Sequence, residues 1–401
     1  MTTREEDAIV VGGGIAGTAA AIALRLAGRT PVIHEARGPG DAERGVFVTI
    51  AVNGVNALRS LGADPAVVLA RGFATPRLAL RRASGRLLAE LPLGGPTPDG
   101  AVTTTIRRAD LYAALRTEAE RQGIEIVYGH RLATARPGPH GVTAEFTDGR
   151  SVTGDLLVGA DGLNSRTRTA LDPSSPAPHF LGLLDTGGFT DAPVDPALIP
   201  PPGVMQMSFG RKAFFGWTAA PDGSVWWFAN PPRKRPAEPG EFTAETWRAY
   251  LLDLFEGEPG GDLIRATSQV LGPWSTRDLP RVPIWHGDRM VLVGDAAHAV
   301  APSSGQGASL ALEDAVVLGH SLREHRDQAV ALAAYESARR PRVEKVVAQG
   351  RRSSSTKVAG SVGAAIRDTM MPLVMRMLHR SGDPQAWIFE HRVPSLTPAP
   401  R

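Results

Sequence analysis

Apolar residues in the first part of the chain follow a strand, helix and strand pattern. The run AIVV (8–11) is typical of a short buried strand, and a glycine-rich turn follows it directly. Alanine and leucine then recur at helical spacing until Gly28, after which TPVIHE (30–35) indicates a second strand. We therefore predict that the chain begins with one βαβ unit.

The following segment mixes helical periodicity with tightly turned strands. Residues 53–61 and 107–122 have the spacing of helices. The segment LALRRASGRLLAEL (78–91) predicts a hairpin at Ser84-Gly85, since small turn residues separate two apolar runs. Three more strand candidates follow the second helix, namely IEIVYG, VTAEFTDGRSV and DLLVGADG.

Aromatic residues mark a different region from about residue 176. Prolines cluster on either side of VMQMSFG, AFFGWTA and SVWWFAN, which predict an antiparallel meander. Near residue 284 the first pattern returns with the buried run RMVLVGD, so a second domain is inserted into the first. The remainder, 306–392, is mostly helical, with breaks predicted at Pro341 and Pro372.

Composition excludes several classes of protein. The 401 residues are 42% apolar, enough for two or three subdomains with a substantial core. The absence of cysteine excludes a disulfide framework, a thiolate nucleophile and a cysteine-ligated metal, and no metal site is predicted. Net charge is +3 and no basic run carries interleaved aromatics, so no nucleic-acid partner is expected. Without a signal peptide or an apolar stretch of about 18 residues, we expect a cytoplasmic protein with no membrane span.

A dinucleotide site is indicated by the first glycine-rich turn. Gly12, Gly14 and Gly17 form G-x-G-x-x-G between a strand and a helix. The first glycine permits a tight turn, the second lets a pyrophosphate approach the backbone, and the third allows the helix to pack closely on the strand. Glu35 ends the next strand, where a carboxylate bonds ribose hydroxyls. Whether the dinucleotide is NAD or FAD stays open here; the flanking candidates are Ile15, Ala16, Ala36 and Arg37.

A second strand, turn and helix pattern lies in VLVGDAAHAVAPSSGQGASLALEDA (291–315). Asp295 follows a buried strand, where a carboxylate is costly unless it is hydrogen-bonded; a helix N-cap is the alternative. Pro302 fixes a turn, and Gly305 and Gly307 precede a helix whose N-terminus favours negative charge. The segment therefore predicts a second binding loop.

Three segments together resemble the fingerprints of group A FAD-dependent monooxygenases, the p-hydroxybenzoate hydroxylase-like aromatic hydroxylases. Residues 289–315 are similar to their Gly-Asp fingerprint, DLLVGADGLNSRTR (155–168) to their Asp-Gly fingerprint, and RRADLYAAL (107–115) to their R-x-x-L segment. With the first loop, these motifs span residues 8–315 in the family's order. The resemblance implies an α/β, Rossmann-like FAD-binding domain of the glutathione reductase type, an inserted antiparallel β-sheet domain for the substrate, and C-terminal helices.

The resemblance also implies domain boundaries. The FAD-binding domain is expected in 1–72, 101–175 and 276–330, the substrate-binding sheet in 73–100 and 176–275, and the C-terminal helical region in 331–401.

The resemblance also implies roles for individual residues at the positions that match the family's motifs. The first loop would hold the ADP half of FAD, Asp295 a ribityl hydroxyl, and the turn from Pro302 to Gly307 the flavin ring. Arg108, with Arg107 as the fallback, is assigned to the flavin phosphate or ribityl chain. Arg168 would pair with Asp161 or hold its turn, and His298 would be structural. The remaining expected cofactor contacts are Arg44, Gly45, Asp161, Gly162, Gly294, Gln306 and Ala308.

The implied reaction consumes NADH or NADPH and molecular oxygen. The family hydroxylates or epoxidises its substrate through a flavin C4a-hydroperoxide, so an aromatic or polyketide-like small molecule is expected; an FAD-dependent dehydrogenase or oxidase is the alternative. No residue stands out as a catalytic base, and the expected assembly is a monomer or homodimer. The predicted substrate-pocket residues are Phe47, Thr49, Phe189, Met205, Met207, Phe215, Trp217, Trp227 and Pro302.

Overall fold

The computed structural model of the chain describes residues 4–39, 45–279, 281–355 and 385–396. Its strands are β1 (Arg4–Val11), β2 (Pro31–Glu35), β3 (Phe47–Ile50), β4 (Phe73–Ala74), β5 (Arg77–Arg82), β6 (Leu87–Pro92), β7 (Thr104–Arg107), β8 (Glu125–Tyr128), β9 (Leu132–Gly138), β10 (Gly141–Phe146), β11 (Ser151–Gly159), β12 (His179–Phe189), β13 (Val204–Phe209), β14 (Phe214–Ala219), β15 (Val225–Asn230), β16 (Leu271–Asp278) and β17 (Met290–Leu292). Its α-helices are α1 (Ile15–Leu26), α2 (Val52–Ser60), α3 (Pro65–Val68), α4 (Arg108–Arg121), α5 (Arg166–Leu171), α6 (Ala244–Leu254), α7 (Pro259–Arg265), α8 (Asp295–His298), α9 (Gly307–Glu324), α10 (Gln328–Ser355) and α11 (Ala386–Phe389).

The first sheet is mostly parallel and carries both glycine-rich loops. Its order is β8-β2-β1-β11-β10-β9, with β17 paired to β11. The pairs β2-β1, β1-β11 and β11-β17 are parallel, so the carboxyl ends of these strands meet at one edge. Helices α1 and α9 pack together in the largest core cluster. Because both faces of β1 are covered, its residues Ala8 to Val11 are almost continuously buried.

The second sheet has the order β16-β12-β15-β14-β13-β5-β6. The predicted meander is present, since β13, β14 and β15 pair antiparallel in sequence order. The predicted hairpin joins β5 to β6, and Gly85 in its turn has φ +81°. Helices α6 and α7 cover one face of this sheet.

A small third sheet, with the order β3-β7-β4, lies between the other two. Ile50 and Ile106 pack into the core beneath the first sheet, with Val48 partly buried against them. Phe47, on the opposite face of β3, packs against residues of the second sheet. The third sheet therefore connects the two larger layers.

The break predicted at Pro341 is wrong, because α10 continues through this residue. A proline inside a helix removes one backbone hydrogen bond and its ring crowds the carbonyl group four residues earlier, at a cost of about 3 kcal/mol, which other contacts must offset. Arg339 and Arg342, on either side, are each paired with buried acids of α9, and these ion pairs hold both halves of the helix. Pro372 lies outside the described residues.

No helix in the described part of the chain is both long enough and apolar enough to cross a membrane.

Candidate functional site

Two glycines of the first loop are required by the backbone itself. Gly12 has φ +105°, and a Cβ there would lie 2.5 Å from the Ala160 carbonyl oxygen. A Cβ on Gly17 would lie 1.8 Å from the Gly12 carbonyl oxygen. The close approach of β1, α1 and the turn after β11 thus depends on both residues.

The space above the middle glycine suits a pyrophosphate. Gly14 precedes α1 and has no side-chain cap, and the first turn of this helix carries no acid. A Cβ on Gly14 would meet nothing closer than the Tyr112 hydroxyl at 4.0 Å. The first turn of α1, whose N–H groups have no partner within the helix, therefore begins next to open space at Gly14, where an anion is favoured. Of the other candidates here, Ile15 is buried in the core and Ala16 is half-buried.

Glu35 is held by backbone donors at the end of β2. Its Oε2 accepts from the Gly13 N–H at 2.6 Å, and its Oε1 accepts from the Arg37 N–H at 3.0 Å. Each carboxylate oxygen keeps a second lone pair for a hydroxyl donor. The arrangement fits the predicted ribose contact, with Ala36 between the two residues.

A chain of hydrogen-bonded polar side chains, buried except for Arg150 at its outer end, lies beneath this loop. Arg150 donates to His130 Nε2 at 3.0 Å, so His130 Nδ1 carries the proton and donates to His34 Nδ1, also at 3.0 Å. His34 Nε2 then donates to Glu6 at 3.1 Å. Burial, followed by the neighbouring His34, lowers the pKa of His130, which keeps this histidine neutral. Sequence inspection gave no sign of this chain, because its members lie on four separate segments.

The Asp161 turn is closed by its own residues. The Asp161 carboxylate accepts from the N–H groups of Arg166 at 2.8 Å and Thr167 at 2.9 Å, at the start of α5. Arg168 donates to the carbonyl oxygens of Leu163 at 2.7 Å and Ala296 at 3.0 Å. Arg168 therefore holds the turn, as predicted, and ties it to the second loop. Gly162 permits the turn through φ +75°.

The second loop begins against the first. Gly294 has φ +59°, and a Cβ there would lie 2.6 Å from the Cβ of Ala16. Asp295 is the first residue of α8 but makes no capping hydrogen bond, so the N-cap alternative is wrong. The expected cost of burial is also absent, because the Asp295 side chain is exposed. Its carboxylate is therefore in contact with solvent and accessible to a ligand.

The turn that follows presents a second uncapped helix N-terminus. Pro302 begins a short 3-10 helix and is exposed, and Gly305 has φ +60° with open space around it. Gln306 precedes α9 and does not cap it with its side chain. The N–H groups of Gly307 and Ala308 therefore lie at the positive end of an 18-residue helix.

A buried ionic cluster stands behind this second turn, and the sequence reasoning missed it. Arg339 donates to Glu313 at 2.6 Å and to Asp314 at 2.7 Å, and Arg342 donates to Glu313 at 2.8 Å. Burial opposes ionisation of Glu313, but Arg339 and Arg342 leave its pKa below the usual value. The sequence does contain a sign of this cluster, since two adjacent acids lie inside the otherwise apolar stretch LALEDAVVL and buried acids need cationic partners.

This cluster reaches both ends of the second loop. Asp314 accepts from the Gly294 N–H at 2.9 Å and pairs with the buried His298, whose structural role stays a prediction. Asn53 donates to Glu313 at 2.6 Å and to the Gln306 side chain at 3.0 Å. The Asn53 Oδ1 atom is buried and finds no donor among the described residues.

Arg108 and Arg107 point to different parts of the molecule. Arg108 donates to the Tyr112 hydroxyl at 2.9 Å, and its side chain lies where a Cβ on Gly45 would come within 2.8 Å. Arg108, the first residue of α4, thus lies close to the first loop through Tyr112. The guanidinium of Arg107 instead contacts Phe189 of the second sheet. Arg44 lies outside the described residues.

Strand alternation divides the predicted pocket residues between two faces. Phe215, Trp217 and Trp227 lie beneath α6 and α7 in a sealed core, which corrects their assignment to the pocket. The candidates on the opposite face, which looks towards β3 and β7, are Phe189, Met205 and Met207, together with Phe47 of β3. Phe228 lies on this same face and contacts Phe47.

Threonines add a polar strip to this interface. The Thr49 hydroxyl lies 3.5 Å from that of Thr105, which lies 2.6 Å from that of Thr75. Thr49 is half-buried, whereas the other two are fully buried. Thr49 is therefore the accessible end of the strip.

Comparison with known proteins agrees with these features. The FAD binding domain family matches residues 5–350. Aurachin C monooxygenase/isomerase of Stigmatella aurantiaca is 32% identical over 354 residues, covering 85% of this chain and 86% of that protein. The 3-amino-4-hydroxybenzoate 2-monooxygenase PtmB3 of Streptomyces platensis is 32% identical over 394 residues, covering 95% of this chain and 94% of that protein.

A solved structure of an FAD-containing protein has the same fold as this chain. Klebsiella pneumoniae HpxO, complexed with FAD and uric acid, matches with a TM-score of 0.81 and 28% identity over 94% of this chain and 95% of that chain. The predicted α/β fold, the FAD cofactor with NAD(P)H and oxygen, and the oxidoreductase class are confirmed, and the dehydrogenase or oxidase alternative gains no support. The chain therefore belongs to the FAD binding domain family and is an FAD-dependent monooxygenase.

Proposed function

We propose that this monooxygenase oxygenates an aromatic or polyketide-like small molecule bound between the third sheet and the second sheet. The observation that carries the proposal is the apolar face formed by Phe47, Met205, Met207 and Phe228, which lies between these two layers. Such a face binds flat apolar molecules and excludes water from the reacting atoms. PtmB3, named as a 3-amino-4-hydroxybenzoate monooxygenase, supports an aromatic substrate.

We further propose that the two loops hold opposite ends of FAD. Gly14 and the first turn of α1 would hold the pyrophosphate, and Glu35 the adenosine ribose. Asp295 would bond the ribityl chain, and the N-terminus of α9 would stabilise negative charge on the ring. Bound FAD supplies electron transfer from NAD(P)H to oxygen and delivery of one oxygen atom to the substrate.

We also propose the domain boundaries that the sequence predicts. The FAD-binding domain would comprise 1–72, 101–175 and 276–330, with the substrate domain in 73–100 and 176–275 and a C-terminal region in 331–401. The strands of the first sheet fall within the first set of segments, and those of the second sheet fall within the second set except for the last three residues of β16 (Leu271–Asp278), which supports the boundaries to within a few residues. A monomer or homodimer in the cytoplasm stays a prediction.

Product analysis tests the proposed activity. Purified protein loaded with FAD is supplied with NADH or NADPH, oxygen and a panel of phenols, aromatic acids, quinolones and polyketide-like aromatics. We expect at least one compound to accelerate NAD(P)H oxidation and to gain one oxygen atom by mass spectrometry. Release of peroxide alone with every compound would contradict the proposal.

A further inference from the structure

Arg107 lies on the aromatic side of the interface between the third sheet and the second sheet. Arg107 is the last residue of β7 and is paired in register with Phe47 of β3. Its neighbour Ile106 points the other way, into the core. The Arg107 side chain therefore extends from the third sheet towards the second sheet.

Aromatic rings hold this guanidinium in place. Its central carbon lies 4.4 Å from the centre of the Phe189 ring and 5.2 Å from that of Trp226. Trp226 is itself fixed by edge contacts with Phe73 and Phe189 at 5.0 and 5.2 Å. Contacts of this kind orient a guanidinium over ring faces but leave its five N–H donors unused.

Those donors have no protein acceptor among the described residues, in which Arg107 forms neither a hydrogen bond nor an ion pair. The neighbouring carboxylate, Asp222, accepts instead from the Ser224 N–H at 2.9 Å and hydroxyl at 2.6 Å. These bonds, with a smaller contribution from Arg107, lower the pKa of Asp222. A half-buried guanidinium with unused donors is a ready site for an anion.

We propose that Arg107 determines substrate specificity by binding the carboxylate, or an equivalent acidic group, of an aromatic substrate. The inference rests on the proposed function, and it narrows the substrate class to aromatic acids. A planar guanidinium binds a carboxylate through two parallel hydrogen bonds, while Phe47 and Phe228 contact the substrate ring. The phosphate groups of NAD(P)H share the same anionic chemistry and are the second source of a ligand for this residue.

The test compares acids with their uncharged amides on the FAD-loaded enzyme. The probes are 3-amino-4-hydroxybenzoate against 3-amino-4-hydroxybenzamide, and salicylate against salicylamide, each titrated by the change in flavin absorbance. We expect the wild type to bind at least one acid ten or more times tighter than its amide. Arg107→Met should abolish this preference, and Arg107→Lys should restore part of it.

Two controls separate the possible causes. Arg81→Met removes a guanidinium that bonds Gln206 on the opposite face of the second sheet, and it should keep the acid preference. If Arg107→Met raises only the KM for NAD(P)H, the ligand is the dinucleotide phosphate and the substrate assignment is overturned. Equal binding of acid and amide by the wild type also overturns it. Failure of the proposed function would instead appear in wild-type protein that takes up FAD but yields no oxygenated product.

Discussion

The two glycine-rich loops have the same strand, turn and helix layout but are held in different ways. In the first loop, Gly12 and Gly17 fit against backbone atoms of the loop itself and of the adjacent turn. In the second loop, Gly305 has open space around it, and Gln306 and Gly294 are tied instead to side chains of α2 and α9. Close packing of backbone atoms thus sets the first loop, whereas hydrogen bonds to buried polar side chains set the second.

Because the two loops are held differently, different kinds of substitution should destabilise them. A backbone-limited loop is sensitive to added volume at a few glycines. A loop supported by buried charges is sensitive to removal of either partner, since the other charge then stays buried without compensation. The following predictions run from the largest expected effect on the free energy of unfolding to the smallest.

Arg339→Met should destabilise the protein most. It removes the partner of two fully buried carboxylates, Glu313 and Asp314, at an expected cost of about 3–5 kcal/mol. Urea unfolding measures the loss. Arg121→Met, which breaks an exposed pair with Glu118, should leave stability unchanged. Equal stability of the two variants would show that the ionic cluster does not support the second loop.

Gly17→Ala should come next, because its Cβ would clash with the Gly12 carbonyl oxygen. Overpacking of this kind costs about 1–3 kcal/mol, and it should also weaken FAD binding. Gly14→Ala is the matched control, since its Cβ meets no protein atom closer than 4.0 Å. We expect this control to unfold like the wild type in the absence of FAD but to bind FAD more weakly. Unchanged FAD affinity would contradict the pyrophosphate site.

Acidification should destabilise the support of the first loop through His130. Its folded-state pKa lies below the usual 6.5, so the unfolded chain binds this proton first as the pH falls. The free energy of unfolding should therefore fall below about pH 6.5, by up to about 1.4 kcal/mol per pH unit. Thermal unfolding between pH 5 and 8 measures the slope, which His130→Phe should reduce. The control substitution His140→Phe, at an exposed histidine, should leave this slope unchanged. An equal slope in the wild type and both variants would show that His130 does not cause the loss of stability at low pH.

Asp295→Asn should affect binding alone. The side chain is exposed, so the unfolding temperature of FAD-free protein should not change. FAD affinity should fall about ten- to a hundredfold, the worth of one charge-assisted hydrogen bond. Fluorescence titration with FAD tests this, with exposed Asp288→Asn as the control. Wild-type affinity in Asp295→Asn would contradict its assignment to the ribityl chain.

Local patterns were sufficient to predict much of the architecture. The βαβ start, the hairpin at Gly85 and the meander each depend on residues a few positions apart, and the structure contains all three. The second loop was also identified from its motif. Its supporting residues were not, because Asn53, Glu313 and Arg339 come together only when α2, α9 and α10 pack.

The sequence by itself determined the position of both loops, since glycine geometry and strand-turn-helix motifs are short-range properties, and the resemblance of its motifs to known fingerprints indicated the family and the cofactor FAD. Only the tertiary structure decided which face of the meander packs towards the third sheet and which packs beneath α6 and α7. Alternation defines two faces along β14 and β15, but burial of Phe215 and Trp227 depends on α6 and α7 from a later segment. The same holds for Arg107, whose aromatic partners lie about 80 and 120 residues further along the chain, because long-range packing has no signature in local sequence.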